Sequence, residues 1–574
     1  MCSIRKTTRS VISAVGCGAA LTVSCAFADQ VPGTQTQEPA RPSKPAPNDL
    51  LRVAPGALPV APVMRDTGAR IPVSQFRLTG NAAQPSSALE PLLVSWLGRA
   101  LTLAELNQAA DVVQRHYRAH GWFLAQAYIP AQVPADGVVE IAVLEGRIDT
   151  LTVNIAPDAP VGAGYARRLI AQALHTGQTI TEKALEGPLL LLRDVPRVDA
   201  QSVINPGTVP GTASITINLL KDAQAALITG RIELDNYGSR VSGANRLGAG
   251  LDVNNPYGWG DALSLNGFVA NEHGNAFGRA GYTVPLGAGG ARVGVSVARL
   301  DYVLGEAFDS IRPNGIAHIY SANASYPILR SRSGNLLVQL LVERKELDDR
   351  TEVPFSSDRQ RLTSARLQLS GDARDQHAGV TLYSISASAG KLRENDPGRV
   401  ANDALTYRTE GSFAKYLVSV QRLQQLLPGL QAMLSASGQR ANKNLTSAEK
   451  YSLGGDSTVR AWPVGALIGD HGYTATAELR WAPAALQGRR HLAGIVFYDI
   501  GQVTRNHDNR NPLVHIADNH PRISGYGTGL NLGGGAHWLL RLAVAWQDKK
   551  RAPDLAVSTL ERGARAWVQA SYAF

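Results

Sequence analysis

The chain has 574 residues and a formal net charge of +10 at pH 7, from 57 lysines and arginines against 47 aspartates and glutamates. A basic excess this small, spread over a chain of this length, does not indicate nucleic-acid binding. The three cysteines, Cys2, Cys17 and Cys25, all lie in the first 25 residues. The rest of the chain therefore excludes a disulfide framework, a cysteine nucleophile and a thiolate metal site.

The N-terminus has the layout of a secretory signal peptide. Three basic residues fall within the first nine, an uncharged stretch follows over 10–28, and this stretch ends in Ala-Phe-Ala. We predict a signal peptide at 1–28 and a mature chain that begins near Asp29. A lipoprotein attached through Cys25 is the alternative, although Thr22 stands where a leucine is usual. Beyond the signal, no apolar run approaches the ~18 residues of a membrane-spanning helix, so the exported chain is periplasmic, secreted or an outer-membrane barrel.

Residues 29–72 are rich in proline, with eight prolines between Pro32 and Pro62 and no sustained periodicity. Such a composition predicts an extended, semi-rigid linker. Because proline interrupts helices, a long helix is disfavoured in this segment. The best short helical candidate within it is 49–53.

Two copies of one pattern follow the linker. In the first copy, 76–81 has the pattern of a short strand, 102–105 forms a Thr-x-x-Glu capping box before an amphipathic helix, and Gly121 ends that helix. Two strand-like runs complete a β-α-α-β-β order, provided that the residues before the capping box supply the first helix. The same order recurs further along the chain. We therefore predict two small α/β modules, at 73–149 and 150–222.

The helical period disappears in residues 223–574, where apolar and polar side chains alternate instead. Clear examples are the runs 430–437, 474–481 and 540–546, and about sixteen such runs are present. One apolar face and one polar or small face suit a wall with lipid outside and water inside. An even number of antiparallel strands closes a barrel without a free edge in the hydrocarbon. We therefore predict a transmembrane all-β barrel of about 16 antiparallel strands.

The C-terminal run favours the barrel over its alternative, a soluble β-sandwich or a set of separate β domains. No linker interrupts 223–574, and the chain ends with Tyr572 and Phe574 on one face of the last run. A terminal aromatic residue in the last strand is similar to the assembly signal that the outer-membrane assembly machinery reads. We expect this barrel-assembly machinery and periplasmic chaperones to act on the chain during its biogenesis.

A signal peptide, a proline-rich segment, two β-α-α-β-β modules and a sixteen-stranded barrel together resemble the two-partner secretion transporters (TpsB type), the FhaC/ShlB/HecB family of haemolysin-activation and secretion proteins. Residues 117–122 and 189–198 are similar to helix ends of that family's polypeptide-transport-associated (POTRA) domains. The loop between runs eleven and twelve is similar to the family's Val-Arg-Gly-Tyr/Phe loop, and run thirteen is similar to its Phe-x-Asp-x-Gly strand. The pore-loop motif comprises Val459, Arg460, Ala461 and Trp462, and the barrel-wall motif comprises Phe497, Asp499 and Gly501.

The resemblance implies a contact between these two motifs. Phe497, Asp499 and Gly501 share parity in one run, so their side chains are expected to face the lumen. There Arg460, on a loop folded into the pore, would offer Asp499 a two-pronged partner, and Gly501 would leave space for the loop tip. The alternative is that Arg460 is a solvated loop cation and Asp499 a pore-lining charge. Ala461 stands where the family has glycine, so a turn with φ > 0 at this position would be strained.

The resemblance also implies the function of an outer-membrane transporter whose POTRA-like domains lie in the periplasm. These domains would recognise an unfolded partner exoprotein by adding its extended chain to a strand edge, and the barrel would export it. The partner would be an adhesin, a haemolysin or a contact-dependent toxin. Its identity, its activation, an N-terminal plug helix and the oligomeric state stay open. The alternatives are an outer-membrane protein assembly factor of the same superfamily and a passive porin.

The sequence does not predict an enzyme. It contains neither a Gly-x-Ser-x-Gly nor a His-Glu-x-x-His motif, and its 12 histidines are scattered without ligand spacing. A Gly-rich phosphate loop with its Lys-Ser/Thr is absent as well. We therefore expect no cofactor, no metal and no nucleic-acid partner.

Overall fold

The computed structural model describes most of the chain from residue 51 onwards. The predicted signal peptide at 1–28 and most of the predicted linker at 29–72 lie outside the described residues. None of the helices in the described ranges is long and apolar enough to cross a bilayer. The described residues are 51–53, 68, 70–134, 136–271, 275–305, 310, 312–353, 355–483, 490–534, 537–548 and 563–574.

Two α/β modules precede the barrel, and each has the β-α-α-β-β order expected from the sequence. In the first, the leading helix is short and continues as a 3₁₀ helix at Glu90–Trp96. The elements are β1 (Leu51–Val53), β2 (Ile71–Val73), β3 (Gln75–Thr79), α1 (Ser86–Leu89), β4 (Arg99–Leu101), α2 (Leu103–Ala119), β5 (Gln126–Tyr128), β6 (Val138–Leu144), β7 (Arg147–Ile155), α3 (Ala163–Ala173), α4 (Glu182–Arg193), β8 (Val198–Pro206) and β9 (Thr212–Lys221).

The first module is a three-stranded sheet covered by α2. β3 runs parallel to β6, and β5 pairs with β6 in the antiparallel sense. The helix begins with a reciprocal capping box, in which Thr102 Oγ1 accepts from the Glu105 backbone N–H and the Glu105 carboxylate accepts from the Thr102 N–H at 2.8 Å. Gly121, with φ of 96°, follows the helix end. The side chains that α2 buries against the sheet are Leu106, Ala109, Ala110, Val113 and Tyr117.

The second module starts earlier than predicted. Its sheet has the order β1-β8-β9-β7, and the predicted boundary between residues 149 and 150 falls inside β7. The sequence pattern is strand-like throughout 138–148, but Gly146, with φ of 82°, turns the chain between β6 and β7. α4 begins after the N-cap Thr181, whose side chain accepts from the Ala184 N–H at 3.1 Å.

The strand β1 belongs to the predicted linker but pairs with the second module. Leu51–Val53 runs parallel to Ser202–Ile204 of β8. The helical prediction for 49–53 is therefore wrong for its last three residues. The physical reason is tertiary, since an unpaired sheet edge offers backbone N–H and C=O groups that an extended segment satisfies.

Sixteen strands of the described chain close into an antiparallel barrel, in agreement with the predicted fold class. Pairing of β27 with β10, in which Ala573 is opposite Arg231, closes the sheet. Two short strands, β21 and β22, and the helix α5 lie in loops. The elements are β10 (Ile228–Asp235), β11 (Arg246–Asn254), β12 (Ala262–Ala270), β13 (Ala276–Leu286), β14 (Ala291–Val303), β15 (Asn314–Arg330), β16 (Gly334–Glu352), β17 (Phe355–Arg374), β18 (Gly379–Glu394), α5 (Pro397–Leu405), β19 (Gly411–Leu427), β20 (Leu430–Ala441), β21 (Tyr451–Leu453), β22 (Leu467–Gly469), β23 (His471–Trp481), β24 (Arg490–Thr504), β25 (Arg522–Gly534), β26 (Trp538–Gln547) and β27 (Ala564–Ala573).

The barrel strands alternate between a lumen face and an outer face. On β24, the thirteenth barrel strand, Phe497 and Asp499 are buried on the lumen side, whereas Val496 and Tyr498 are exposed on the outside. The strands β15 to β18 have 17, 19, 20 and 16 residues. A transmembrane strand needs about 9–11 residues, so these four strands continue beyond the bilayer at the end away from the modules.

The second module is attached to the near end of the barrel through α4. Arg330, at the end of β15, forms a two-pronged contact with Asp194, with both N–O distances at 2.8 Å. In the following turn, Arg332 Nε donates to Glu186 at 2.6 Å. These ion pairs and the barrel turns beside them place the module at the mouth of the barrel.

Candidate functional site in the barrel lumen

The loop 442–470, between β20 and β23, folds into the barrel lumen. β21 and β22 pair as its stem, and at its tip the Trp462 N–H donates to Val459 O at 3.0 Å. The Trp462 indole N–H donates to Ser524 O on the wall at 3.0 Å. Val459, Ala461 and Trp462 are buried, so the tip packs on the wall. The lumen-facing residues around the tip are Ile495, Phe497, Val503, Ile523 and Ala545.

Arg460 at the loop tip is held by two carboxylates of the wall. Its Nε and Nη2 donate to Oδ2 and Oδ1 of Asp499, both at 2.8 Å, and its Nη1 donates to Glu478 Oε2 at 2.8 Å. The Arg460 backbone N–H also donates to Asp499, at 3.1 Å. Asp499 is 0% exposed and Glu478, on the adjacent β23, is 5% exposed. Because both carboxylates are removed from water and paired, this contact anchors the tip.

Neighbouring side chains complete the surroundings of Arg460. Thr476 Oγ1 donates to Asp499 Oδ1 at 2.9 Å, and the Trp567 indole N–H donates to Arg460 O at 2.7 Å. The guanidinium carbon of Arg460 lies 3.3 Å from the ring centroid of Phe497, so the ring face contributes a cation–π contact. The structure thus brings Arg460 together with Phe497 and Asp499 of the wall motif.

Two wall glycines make room for the loop. A Cβ on Gly501 would lie 2.8 Å from Leu453 Cδ1 in the stem, and a Cβ on Gly525 would overlap the Cβ of Ala461 at the tip. Gly501 was expected to face the tip, but it faces the stem. The tip instead reaches the next wall strand, β25, where Gly525 accommodates it.

Gly525→Val is expected to push the loop tip off the wall. Overpacking a close contact costs about 1–3 kcal/mol, which corresponds to a shift of roughly 5- to 150-fold in the population of a displaced tip. Val459 is 0% exposed, so the rate at which maleimide labels a Val459→Cys reporter measures the displacement. The matched control is Gly494→Val, since a Cβ on Gly494 meets no atom within 4 Å. Equal labelling rates in the two variants would contradict the predicted displacement.

Ala461 fits the tip without the strain expected from its replacement of glycine. Arg460 and Ala461 occupy the two central positions of the turn 459–462. In the described loop, positive φ values fall on Gly454 (100°), Gly455 (99°) and Gly465 (71°). The expectation of strain at Ala461 is therefore wrong, because glycines at the base of the tip adopt the left-handed conformation.

A second anchor, which the sequence reasoning missed, holds the root of the loop. Glu449 ends a 3₁₀ helix at Ser447–Glu449, and its carboxylate lies 3.0 Å from Lys345 Nζ and 2.8 Å from Lys415 Nζ. Lys415 Nζ also donates to Glu449 O, at 2.9 Å. Lys345 is 1% exposed and Glu449 is 3% exposed. Glu449 thereby ties the loop root to β16 and to β19, two separate parts of the wall.

One sequence signal for this second anchor was available. Lys345 and Lys415 stand at lumen-facing positions of their strands, with Leu347 at the same parity as Lys345. A cation buried at such a position requires a carboxylate partner. The sequence does not reveal which carboxylate supplies the charge, because Glu449 belongs to a loop.

One family profile matches more than half of the chain. The family is described as haemolysin secretion/activation protein ShlB/FhaC/HecB, and the match covers residues 214–532. The chain belongs to the ShlB/FhaC/HecB family. A second profile, the ShlB-type POTRA domain, matches 71–146, which corresponds to the first α/β module of this ShlB/FhaC/HecB protein.

Other proteins resemble this ShlB/FhaC/HecB chain over most of its length. The Heme/hemopexin transporter protein HuxB of Haemophilus influenzae is 26% identical over 481 residues, which are 83% of this chain and 84% of HuxB. The structure of CdiB from Escherichia coli has a TM-score of 0.68 at 19% identity and covers 91% of this chain and 94% of its own. The structure of CdiB from Acinetobacter baumannii has a TM-score of 0.61 at 17% identity, and the match covers 98% of this chain and 100% of the CdiB chain. The two structural likenesses concern the fold.

This ShlB/FhaC/HecB protein is therefore an outer-membrane transporter with its α/β modules in the periplasm. The modules lie at the periplasmic end of the barrel, and the loop 442–470 enters the lumen from the cell-surface end. The residues of the predicted assembly signal lie apart from the loop site. Tyr572 is half exposed on the outer face of β27, and the backbone of Phe574 pairs with Gly230 through two hydrogen bonds of 2.9 and 3.0 Å.

Proposed function

We propose that this transporter takes an unfolded partner exoprotein from the periplasm, passes it through the barrel lumen and uses the loop 442–470 as its gate. The observation that supports the gate is the anchoring of Arg460 by Asp499 and Glu478. These charge-assisted hydrogen bonds add to the apolar packing of the loop tip on the wall, and such bonds can break and form again without unfolding the wall. The proposed partner is a secreted adhesin, haemolysin or contact-dependent toxin.

The proposed entry point for the partner is the edge of β8 in the second module. The linker strand Leu51–Val53 pairs in parallel with Ser202–Ile204 at this edge. Its presence supports the proposal because it demonstrates that the edge accepts an extended chain through backbone hydrogen bonds. A partner segment can use the same groups once the linker strand leaves, with little demand on side-chain sequence.

The proposed export cycle begins with Arg460 seated on the wall and continues with displacement of the loop. The partner then occupies the lumen, and its folding outside the cell supplies the free energy. The two anchors hold different parts of the loop. The Arg460 anchor holds the tip, which must move, whereas the Glu449 anchor holds the root, where the loop joins the wall.

Deleting residues 73–222 is expected to stop export of the partner while the barrel still reaches the outer membrane. The reason is that the deletion removes both modules, including the β8 edge, and leaves the sixteen barrel strands intact. Partner protein in the medium is measured relative to the amount of folded barrel in outer-membrane fractions. Continued export would contradict the proposal. A fall in the levels of unrelated outer-membrane proteins would support the assembly-factor alternative instead, and unchanged solute conductance without any export phenotype would support a porin.

We also propose that Tyr572 and Phe574 form the assembly signal for the barrel-assembly machinery, with periplasmic chaperones acting before insertion. The exposure of Tyr572 and Phe574, 50% and 54%, supports this role because both rings lie outside the barrel wall. The strand β27, which ends one residue before Phe574, also pairs with β10 and so closes the barrel.

A further inference from the structure

The outer face of β16, β17 and β18 carries a groove that the lumen site does not use. The groove has a volume of about 640 Å³. Apart from Ser364, which is opposite the lumen-facing Glu343, its lining side chains have the parity that points away from the lumen, towards the membrane. Its floor on the periplasmic side is apolar and includes Val342, Ala365 and Ala389, whereas its cell-surface half is basic. The basic side chains are Arg344, Arg361, Lys391 and Arg393.

The basic half of the groove has more positive charge than the protein neutralises. Arg361 and Arg393 are directly opposed in the register of β17 and β18, and like charges at opposed positions destabilise a sheet. One carboxylate, Glu346, lies 2.6 Å from Arg344 and 3.8 Å from Arg361. In the described residues, Lys391 and Arg393 form no ion pair, and Arg361 Nε is buried without a hydrogen-bond partner. Four cations and one carboxylate give a net charge of +3.

The basic half lies at the level of the outer membrane surface. β16 begins at Gly334 on the periplasmic side, and its outward positions are apolar from Leu336 to Val342. Ten residues, 334–343, precede Arg344, and this number is the length of a transmembrane strand, about 9–11 residues. Arg344 is opposite Thr363, which in turn is opposite Lys391. The cations therefore begin where the hydrocarbon ends, in the outer leaflet.

We infer that this groove binds the phosphorylated sugar headgroup of a glycolipid in the outer leaflet, with an acyl chain on the apolar floor. Arginine presents planar, forked donors that match phosphate oxygens, and lysine adds a point charge. A phosphate between Arg361 and Arg393 relieves their mutual repulsion. Cations at a membrane surface attract anionic headgroups, and the floor of Val342, Ala365 and Ala389 distinguishes an acylated ligand from a free anion.

Binding is tested on the full mature chain in a mild, uncharged detergent, with diphosphorylated lipid A as the probe. The comparison ligands are dephosphorylated lipid A, phosphatidylglycerol and inorganic phosphate. Native mass spectrometry measures the binding of each ligand. The test variant is Arg361→Gln/Lys391→Gln/Arg393→Gln. We expect its Kd for diphosphorylated lipid A to rise at least tenfold, and dephosphorylated lipid A to bind the unmodified protein at least tenfold more weakly.

The control variant, Arg312→Gln/Arg350→Gln/Arg359→Gln, removes the same formal charge from exposed side chains further from the membrane. We expect its Kd to change less than twofold. An equal loss in the control, equal affinity for phosphatidylglycerol or inorganic phosphate, or equal affinity for dephosphorylated lipid A would each overturn the inference. If the triple test variant does not fold, the double variant Lys391→Gln/Arg393→Gln is tested in its place. Its two substitutions break no ion pair within the described chain. An unchanged Kd in that double variant also overturns the inference.

Discussion

Arg460→Ala is expected to reduce partner export strongly while the barrel still inserts in the outer membrane. The substitution removes the side-chain contacts with Asp499 and Glu478 and leaves both carboxylates buried. Removal of one side of a buried ion pair costs about 3–5 kcal/mol. That energy shifts the equilibrium between a seated and a displaced tip by roughly two to four orders of magnitude. A displaced tip no longer occupies the position from which the proposed export cycle begins.

Two measurements check this expectation. Partner protein in the medium, relative to folded barrel, should fall, and maleimide labelling of a Val459→Cys reporter should accelerate. Maleimide labelling of the chain after Cys25 is specific for this reporter, because no other cysteine occurs there. Arg480→Ala is the matched control, since Arg480 Nε donates to Glu478 at 2.6 Å from β23 and not from the loop. Unchanged partner levels in Arg460→Ala, or equal losses in both variants, would refute the gate.

Glu449→Gln is expected to loosen the loop root and to lower the stability of the barrel. The substitution leaves Lys345 and Lys415 buried without the carboxylate that lies 3.0 and 2.8 Å from them. The expected cost is again about 3–5 kcal/mol, because two buried ammonium groups lose the carboxylate that they share. Thermal unfolding, followed by the mobility of the folded barrel on gels, should shift to lower temperature, and export should fall with it.

A double-mutant cycle separates the interaction energy of the Glu449–Lys345 ion pair from general destabilisation of the barrel wall. It compares Glu449→Gln, Lys345→Met and the double variant that carries both. If the two groups interact as the structure indicates, the double variant should lose about 1–3 kcal/mol less than the sum of the single losses. Additive losses would mean that the 3.0 Å contact contributes nothing of its own.

Much of the fold could be predicted because its patterns are local. Alternation of side chains along a strand has a period of two and needs no knowledge of the partner strand. The same parity rule placed Asp499 on the lumen face of β24, and the motif order placed Arg460 in the loop before β23. The capping box at Thr102 and Glu105 is also local, since its two hydrogen bonds join residues three apart.

The errors arose where a local pattern was incomplete. Residues 138–148 have a continuous strand pattern, yet Gly146 divides them with a positive φ. The expected strain at Ala461 assumed that the tip itself needs a left-handed residue, whereas Gly454, Gly455 and Gly465 fulfil that requirement nearby. In both cases the type of the residue was informative, but its backbone conformation depended on its neighbours in space.

The amino-acid sequence by itself determined the two modules, the number of barrel strands and the faces on which Arg460 and Asp499 could meet, because periodicity and turn residues act over a few positions. Only the tertiary structure decided that Glu449 meets Lys345, 104 residues away, that Gly525 receives the methyl group of Ala461, and that β1 pairs with β8. These contacts depend on barrel closure and on the path of a long loop through the lumen. Chain closure sets those distances, and no short sequence pattern encodes them.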